Sequence, residues 1–191
     1  MSSVSIIGTG NMATAIGDIF TAAGATVQSI NRSETPETVT GAVVVLAVPY
    51  TAVEGVLGQY AEQLAGKTVI DITNPLDFET FDSLTVPAGS SAAEIIAAKL
   101  PHSHVLKAFN TTFAGTLTAK SIGALRTTVL IAGDNSEAKA SLAASIEAAG
   151  INALDAGSLA RAHELEAIGF LQLTLAAGEK ISWTGGFGTI H

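Results

Sequence analysis

Cysteine is absent from the 191-residue chain, which removes thiol catalysis, disulfides and thiolate-bound metals at once. Basic residues are scarce: nine Lys and Arg against seventeen Asp and Glu leave a formal net charge of −8. That balance argues against nucleic acid or an anionic membrane surface as a partner. No apolar run approaches the ~20 residues that a membrane helix needs, and no basic stretch leads into an apolar one as in a secretory leader. The expectation is a cytoplasmic protein with no membrane partner. Histidine is limited to four positions. His102 and His104 flank Ser103, His163 opens a helical pattern and His191 is terminal, with no carboxylate or third histidine at ligand spacing, so no metal site is expected. Neither Tyr-x-x-x-Lys nor Gly-x-Ser-x-Gly occurs, which sets aside short-chain dehydrogenase and serine hydrolase chemistry. No catalytic residue can be named.

What the sequence does contain is alternation. "SVSIIG" (3–8) precedes Met12, Ile16, Ile19 and Phe20, spaced as on one helix face and closed by Gly24. "TVQSIN" (26–31), "AVVVLAV" (42–48), "TVIDIT" (68–73), "HVLKAFN" (104–110), "RTTVLIAG" (126–133) and "INALDAG" (151–157) read as further strands. Helices are expected over about 51–65 and 91–99, and another ends at Gly150 with Asp134 or Asn135 as its cap. The 32–42 segment is too short for a crossover helix, so a loop or one helical turn is expected there. Strands alternating with helices predict an α/β fold of Rossmann type, doubly wound, with a mostly parallel sheet and a C-terminal helical extension.

The first strand–helix junction carries Gly8, Gly10 and Ala13 at G-x-G-x-x-[GA] spacing. A tight turn needs the first glycine, close approach of pyrophosphate needs the second, and helix–strand packing needs the small third residue. Gly8, Thr9, Gly10, Asn11 and Met12 are therefore expected to meet a dinucleotide at the positive end of the helix. An NAD-selective unit places a carboxylate at the end of the second strand. Here that place holds Asn31, Arg32 and Ser33. Arg32 is the only Lys or Arg before Lys67, and a guanidinium suits a 2′-phosphate. The expected cofactor is NADP, bound by a domain over 1–158, with a helix and tail over 159–191 in the same compact unit.

Ligands of open α/β sheets gather at the carboxyl ends of the strands. There the chain places "AVPY" (47–50), "ITNPL" (72–76) and "AFNTT" (108–112), putting Val48, Pro49, Asn74 and Asn110 toward one crevice.

"IIGTGNMATAIG", "VVVLAVPY", "VIDITNPL", "VLKAFNTTFA" and "DAGSLARAHELEAI" together resemble the NADPH-dependent deazaflavin (coenzyme F420) reductase family, over about residues 3 to 170. The resemblance implies a homodimer and direct hydride transfer between nicotinamide and a stacked flavin-like ring. It also implies that Thr9, Asn31 and Arg32 hold the 2′-phosphate, and that Pro49, Tyr50, Thr73, Asn74 and Pro75 surround the ribose and nicotinamide. The expected partner is a small-molecule electron acceptor: a deazaflavin, a flavin, a quinone or another small carbonyl compound. An acidic deazaflavin tail would find few cations beyond Lys107, Lys120, Arg161 and Lys180. "GTGNMATAI" also resembles the opening of pyrroline-5-carboxylate reductase, an imine reductase type that needs a long C-terminal helical domain, whereas only 159–191 follow "DAGS". A non-catalytic NADP sensor is the other alternative. Leu165, Ile168, Leu171 and Leu175 recur at helical spacing in the last helix and are expected to cover the sheet, build a dimer or meet a partner protein.

Overall fold

The computed structural model describes residues 3–31 and 36–190. The chain runs β1 (Ser3–Ile7), α1 (Asn11–Ala22), β2 (Thr26–Ile30), β3 (Val43–Leu46), α2 (Tyr50–Leu64), β4 (Thr68–Asp71), α3 (Ala92–Lys99) and β5 (His104–Ala108). Then follow α4 (Ala114–Ala119), β6 (Ser121–Ile122), β7 (Leu125–Arg126), β8 (Thr128–Gly133), α5 (Ser136–Ala148), β9 (Asn152–Gly157), a 3-10 turn (Leu159–Arg161) and α6 (Ala162–Ala177). Among the described residues the main sheet has seven strands in the order β2-β1-β3-β4-β5-β8-β9, and β6 and β7 form a separate hairpin.

β3 is apolar throughout, and its neighbours over most of their length, because both sheet faces are covered. Val45, Ile70 and Leu106 point into a core with Ile16, Ile19 and Phe20 of α1 and Leu142 and Ile146 of α5. Their neighbours Val44, Leu46, Val69 and Val105 point the other way, into a core with Val53 and Leu57 of α2 and Ile96 of α3. The period-2 alternation of strands thus feeds two layers of helix. Strand order reverses between β1 and β3, and a crevice opens there at their carboxyl ends, as expected of a switch point.

Helix starts fall into two groups. Ser91 accepts from the Glu94 N–H at 3.1 Å and caps α3. Asn135, rather than Asp134, caps α5 by accepting from the Ala138 N–H at 2.8 Å. By contrast, α1 starts at Gly10 and α2 at Pro49, and neither has a side-chain cap. α4 and α6 also start without an N-cap side-chain bond; of the four, the α1 and α2 starts border the switch point.

The sheet is mostly parallel, as expected, and its one antiparallel pair among the described residues is β8 against β5. Between them the chain passes only through α4 and the β6–β7 hairpin, without the long crossover that a parallel return requires. On α6, of the four stripe residues only Leu165 is fully buried, so of the alternatives given for the stripe, covering the sheet is not met by the stripe as a whole. The buried face of α6 is Ala162, Leu165, Glu166, Gly169, Gln172 and Ala176, whereas Leu171 is 51% exposed and Ile168 and Leu175 are half-buried. Small and polar residues face inward because α6 lies close over a polar cluster.

The described part of the 32–42 loop, 36–42, contains no helical turn. Gln28 donates to the Thr38 carbonyl at 2.9 Å and accepts from the Thr40 N–H, and Gln63 accepts from the Val39 N–H. No helix among the described residues is long and apolar enough to cross a membrane.

Candidate functional site

The glycine turn closes on neighbouring strands. The Gly8 N–H donates to the Ile30 carbonyl and the Ala47 N–H donates to the Ile7 carbonyl, each at 2.9 Å. Gly8 has φ +123°, and a Cβ there would fall 2.1 Å from the Ala47 carbonyl oxygen. The first glycine is therefore dictated by the fold. Gly10 is different: a Cβ there would meet no protein atom within 4 Å, and its backbone is in the ordinary extended region. Nothing in the protein forbids a side chain at position 10, so the glycine leaves room for something else. Ala13 is buried against the sheet, as the third small position requires.

Beside this turn lies a cavity of about 680 Å³, in the usual range for ligand sites. Gly8, Thr9, Gly10, Asn31, Val48 and Pro49 line it, brought together from the ends of β1, β2 and β3. Arg32 and Ser33 lie outside the described residues. The far wall is α2, with Thr51, Gly55, Gln59 and Tyr60, none of which sequence reasoning selected. The interior Gly55, a costly helix residue, was the available signal: a Cβ there meets nothing within 4 Å either. First-turn N–H groups of α1 have no intrahelical acceptor and no side-chain cap. An uncapped helix start, an open Gly10 and an adjoining cavity together fit the phosphates of a dinucleotide.

On the other side of the α1 start is a second cavity, of about 430 Å³. Asn11 and Met12 line it, joined by Asn74 from the end of β4 and Asn110 from the end of β5. The two asparagines are reciprocally bonded. Asn74 Nδ2 donates to the Asn110 carbonyl, and Asn110 Nδ2 donates to Asn74 Oδ1, both at 3.0 Å. Asn110 Nδ2 also donates to the Leu165 carbonyl at 2.8 Å. Asn110 Oδ1 is buried with no partner among the described residues, and the same holds for Thr73 Oγ1. Buried acceptors of this kind usually await a donor.

The other expected residues act behind this wall. Thr73 is buried, its N–H donating to Asp71 Oδ1 at 2.9 Å. The Pro75 carbonyl accepts from the Thr85 N–H at 2.6 Å and anchors the 76–85 loop. Tyr50 lines neither large cavity but a smaller one between α2 and α3. Burial, then the carboxylates of Glu166 and Asp71, raise its phenol pKa.

Sequence reasoning missed a buried ionic cluster. Lys107 is fully buried and donates to Asp71 Oδ2 at 2.8 Å and to the Thr73 carbonyl, with Glu166 Oε1 also at 2.8 Å. Glu166 accepts from the Ala92 and Ala93 N–H groups at the start of α3. Its carboxyl pKa is raised, chiefly by burial, with the Lys107 charge opposing. Lys107 is thus unavailable to an acidic acceptor tail, contrary to its count among candidate cations. Phe109, beside it, holds φ +64°, a costly conformation for a bulky residue. Lys107 and Glu166 belong to "KAFNT" and "DAGSLARAHELE", whose distinctiveness was visible but whose pairing across 59 residues was not.

Comparison with known proteins follows the same lines. The family profile "NADP oxidoreductase coenzyme F420-dependent" matches residues 28–75. Metalloreductase STEAP3 of Rattus norvegicus is 42% identical over 108 residues, covering 56% of this chain and 21% of that protein. The F420-dependent NADP reductase of Methanocaldococcus jannaschii is 32% identical over 151 residues, covering 76% of this chain and 66% of that one. The chain thus spans about a fifth of the first relative and about two thirds of the second. A crystal structure from Arthrobacter sp. FB24, named provisionally as an F420-dependent NADP-reductase, superposes with a TM-score of 0.84. That match covers 100% of both chains at 21% identity, and shows the shared fold.

Proposed function

The chain belongs to an NADP oxidoreductase-like dinucleotide-binding family, and from that premise we propose that it transfers a hydride between NADPH and a flavin-like or deazaflavin ring. One observation carries the reading: two cavities meet at the uncapped start of α1, one beside Gly10 and one beside Asn110. Bound NADPH supplies a hydride, two electrons with one hydrogen nucleus, and solvent supplies the further proton that a reduced ring takes up.

The residues of the chain position and exclude. Gly8, Thr9, Gly10 and the α1 N–H groups hold the pyrophosphate, and Asn31, Arg32 and Ser33 hold the adenosine side with its 2′-phosphate. Val48 and Pro49 form the floor of that crevice, opposite Gly55 and Gln59. Asn74 and Asn110 hold the nicotinamide end in register, their turns pinned from below by Lys107 through Thr73. Met12, Phe109 and Phe113 keep water from the reacting rings. Fixing two rings face to face is most of what such a transfer asks of a protein, and a site without an acid–base pair suffices. We assign the outward stripe of α6 to pairing with a second copy of the chain in a cytoplasmic homodimer.

The test is NADPH oxidation, followed by loss of its absorbance, against flavin, deazaflavin and quinone acceptors. Turnover with at least one of these is expected. Tight NADPH binding with no turnover on any of them would turn the reading to a non-catalytic sensor.

A further inference from the structure

The C-terminal tail contributes Trp183 and Thr184 to the outer wall of the second cavity, with Trp183 53% exposed. After α6 the chain turns at 182–185, where the Gly185 N–H donates to the Ser182 carbonyl at 2.9 Å. This turn seats Trp183 against Phe113, with ring centroids 5.0 Å apart and planes at 56°. Gly115 makes the seat possible, because a Cβ there would come within 3.0 Å of Thr184 and 3.1 Å of the Trp183 carbonyl. Beyond the turn, the Phe187 N–H donates to Gln172 Oε1 at 3.2 Å, while Gln172 Nε2 donates to the Thr111 carbonyl. Thr189 is hydrogen-bonded to Thr128 at 2.7 Å. Before Trp183, the Lys180 and Ile181 N–H groups donate to the Leu175 carbonyl, so the tail is fastened on both sides of Trp183.

Among the described residues, none of the side chains lining this cavity is charged. Its walls are Met12, Ile72, Phe109, Phe113, Leu173 and Trp183, and the one unpartnered buried polar atom among its lining residues is the acceptor Asn110 Oδ1. An anionic ligand would lose hydration here without gaining a cation, on a chain already carrying a net charge of −8. A planar aromatic ring would stack on one of Trp183 and Phe113 and meet the other at its edge, and a ring-edge N–H would share with the nicotinamide end the two lone pairs of Asn110 Oδ1. We propose that Trp183 is a specificity-determining residue of the acceptor site, and that this site takes an uncharged planar ring bearing an N–H in preference to one with a phosphate or a carboxylate tail. The inference rests on the oxidoreductase reading only in calling the ligand an acceptor.

Trp183 is the only tryptophan of the chain, so its emission reports the cavity directly. With NADP⁺ held at saturation, the full chain is titrated with lumiflavin, with FMN, which adds a phosphate, and with coenzyme F420, which adds an acidic tail. Saturable quenching by lumiflavin is expected, with the two anionic ligands at least about tenfold weaker, roughly 1.4 kcal/mol. With NADPH as donor, Trp183→Ala is expected to raise the KM for lumiflavin about tenfold or more. Trp183→Phe should restore it, with the NADPH dissociation constant unchanged in both. Equal affinity for FMN or coenzyme F420, or an unchanged KM in Trp183→Ala, would overturn the proposal. Saturable, selective quenching without any turnover would leave the cavity assignment standing and sink the oxidoreductase reading. Turnover without a Trp183 signal would do the reverse.

Discussion

At the residue scale, Gly8 and Gly10 occupy one motif for different physical reasons, and substitution separates them. A side chain at position 8 meets the Ala47 carbonyl at 2.1 Å with φ at +123°, so Gly8→Ala is expected to destabilise the fold by about 2 kcal/mol or more. Position 10 has open space and an ordinary backbone. Gly10→Val should therefore cost about 1 kcal/mol of stability, as a poorer N-cap, while weakening NADPH roughly a hundredfold or more by occupying the pyrophosphate's place. Thermal unfolding and calorimetric titration read the two effects separately; normal NADPH binding by Gly10→Val would make the turn purely structural. Arg32 lies outside the described residues, and its role is decided in solution. Losing a charge-assisted phosphate contact costs about 2 kcal/mol, so Arg32→Ala should weaken NADPH roughly thirtyfold and NADH hardly at all. Equal losses for both would remove Arg32 from the phosphate site.

At the element scale, α6 is the part of the site that sequence patterning misrepresents. Its leucine and isoleucine spacing is real, but its inward face is set by partners distant in the chain: Glu166 meets Lys107, and Gly169 lies over the asparagine pair. A Cβ at Gly169 would fall 2.2 Å from Asn74 Oδ1, so a glycine inside a helix was the only local trace of that approach. The strands, the glycine turn and the three strand-end turns were legible because each is specified by residues next to one another. The ionic cluster, the direction of β8 and the seating of Trp183 were not, because periodicity carries neither strand direction nor long-range pairing. Lys107→Met leaves Asp71 and Glu166 buried without their cation, and a loss of about 3–5 kcal/mol is expected by urea unfolding. The pH dependence has a definite sign. Burial raises the pKa of Glu166, so the native state holds that proton more tightly than the unfolded chain does. This group's contribution to stability is full below the ordinary glutamate pKa and is lost as pH rises through the raised value. Glu166→Gln should flatten that decline, and an unchanged slope would place the titration elsewhere.

At the scale of the whole molecule, the reversal of strand order between β1 and β3 and the antiparallel return of β8 concentrate function at one edge of the sheet. The first opens the crevice proposed for the nucleotide, at the carboxyl ends of β1, β2 and β3. The second keeps α4 at that same edge, where the tail reaches Phe113 and forms one wall of the neighbouring cavity. α6 serves this edge with its small, polar inner face, which leaves Ile168, Leu171 and Leu175 on the outer one. Leu171 is 51% exposed in the middle of α6, and an apolar stripe left outside a core is what a second subunit would cover. The same stripe on two copies related by a two-fold axis is self-complementary, as a symmetric dimer requires. Leu171→Glu would bring two like charges to the centre of such an interface. We expect the unmodified chain to sediment as a dimer at micromolar concentration, and the variant to dissociate with a constant about a hundredfold higher or more. Because Leu171 is exposed, whereas α6 meets the asparagine pair through Leu165 and Gly169, NADPH affinity should be the same in both. A monomeric unmodified chain would leave this face without the partner assigned to it. A variant that loses NADPH along with the dimer would instead show that the crevice depends on the second copy.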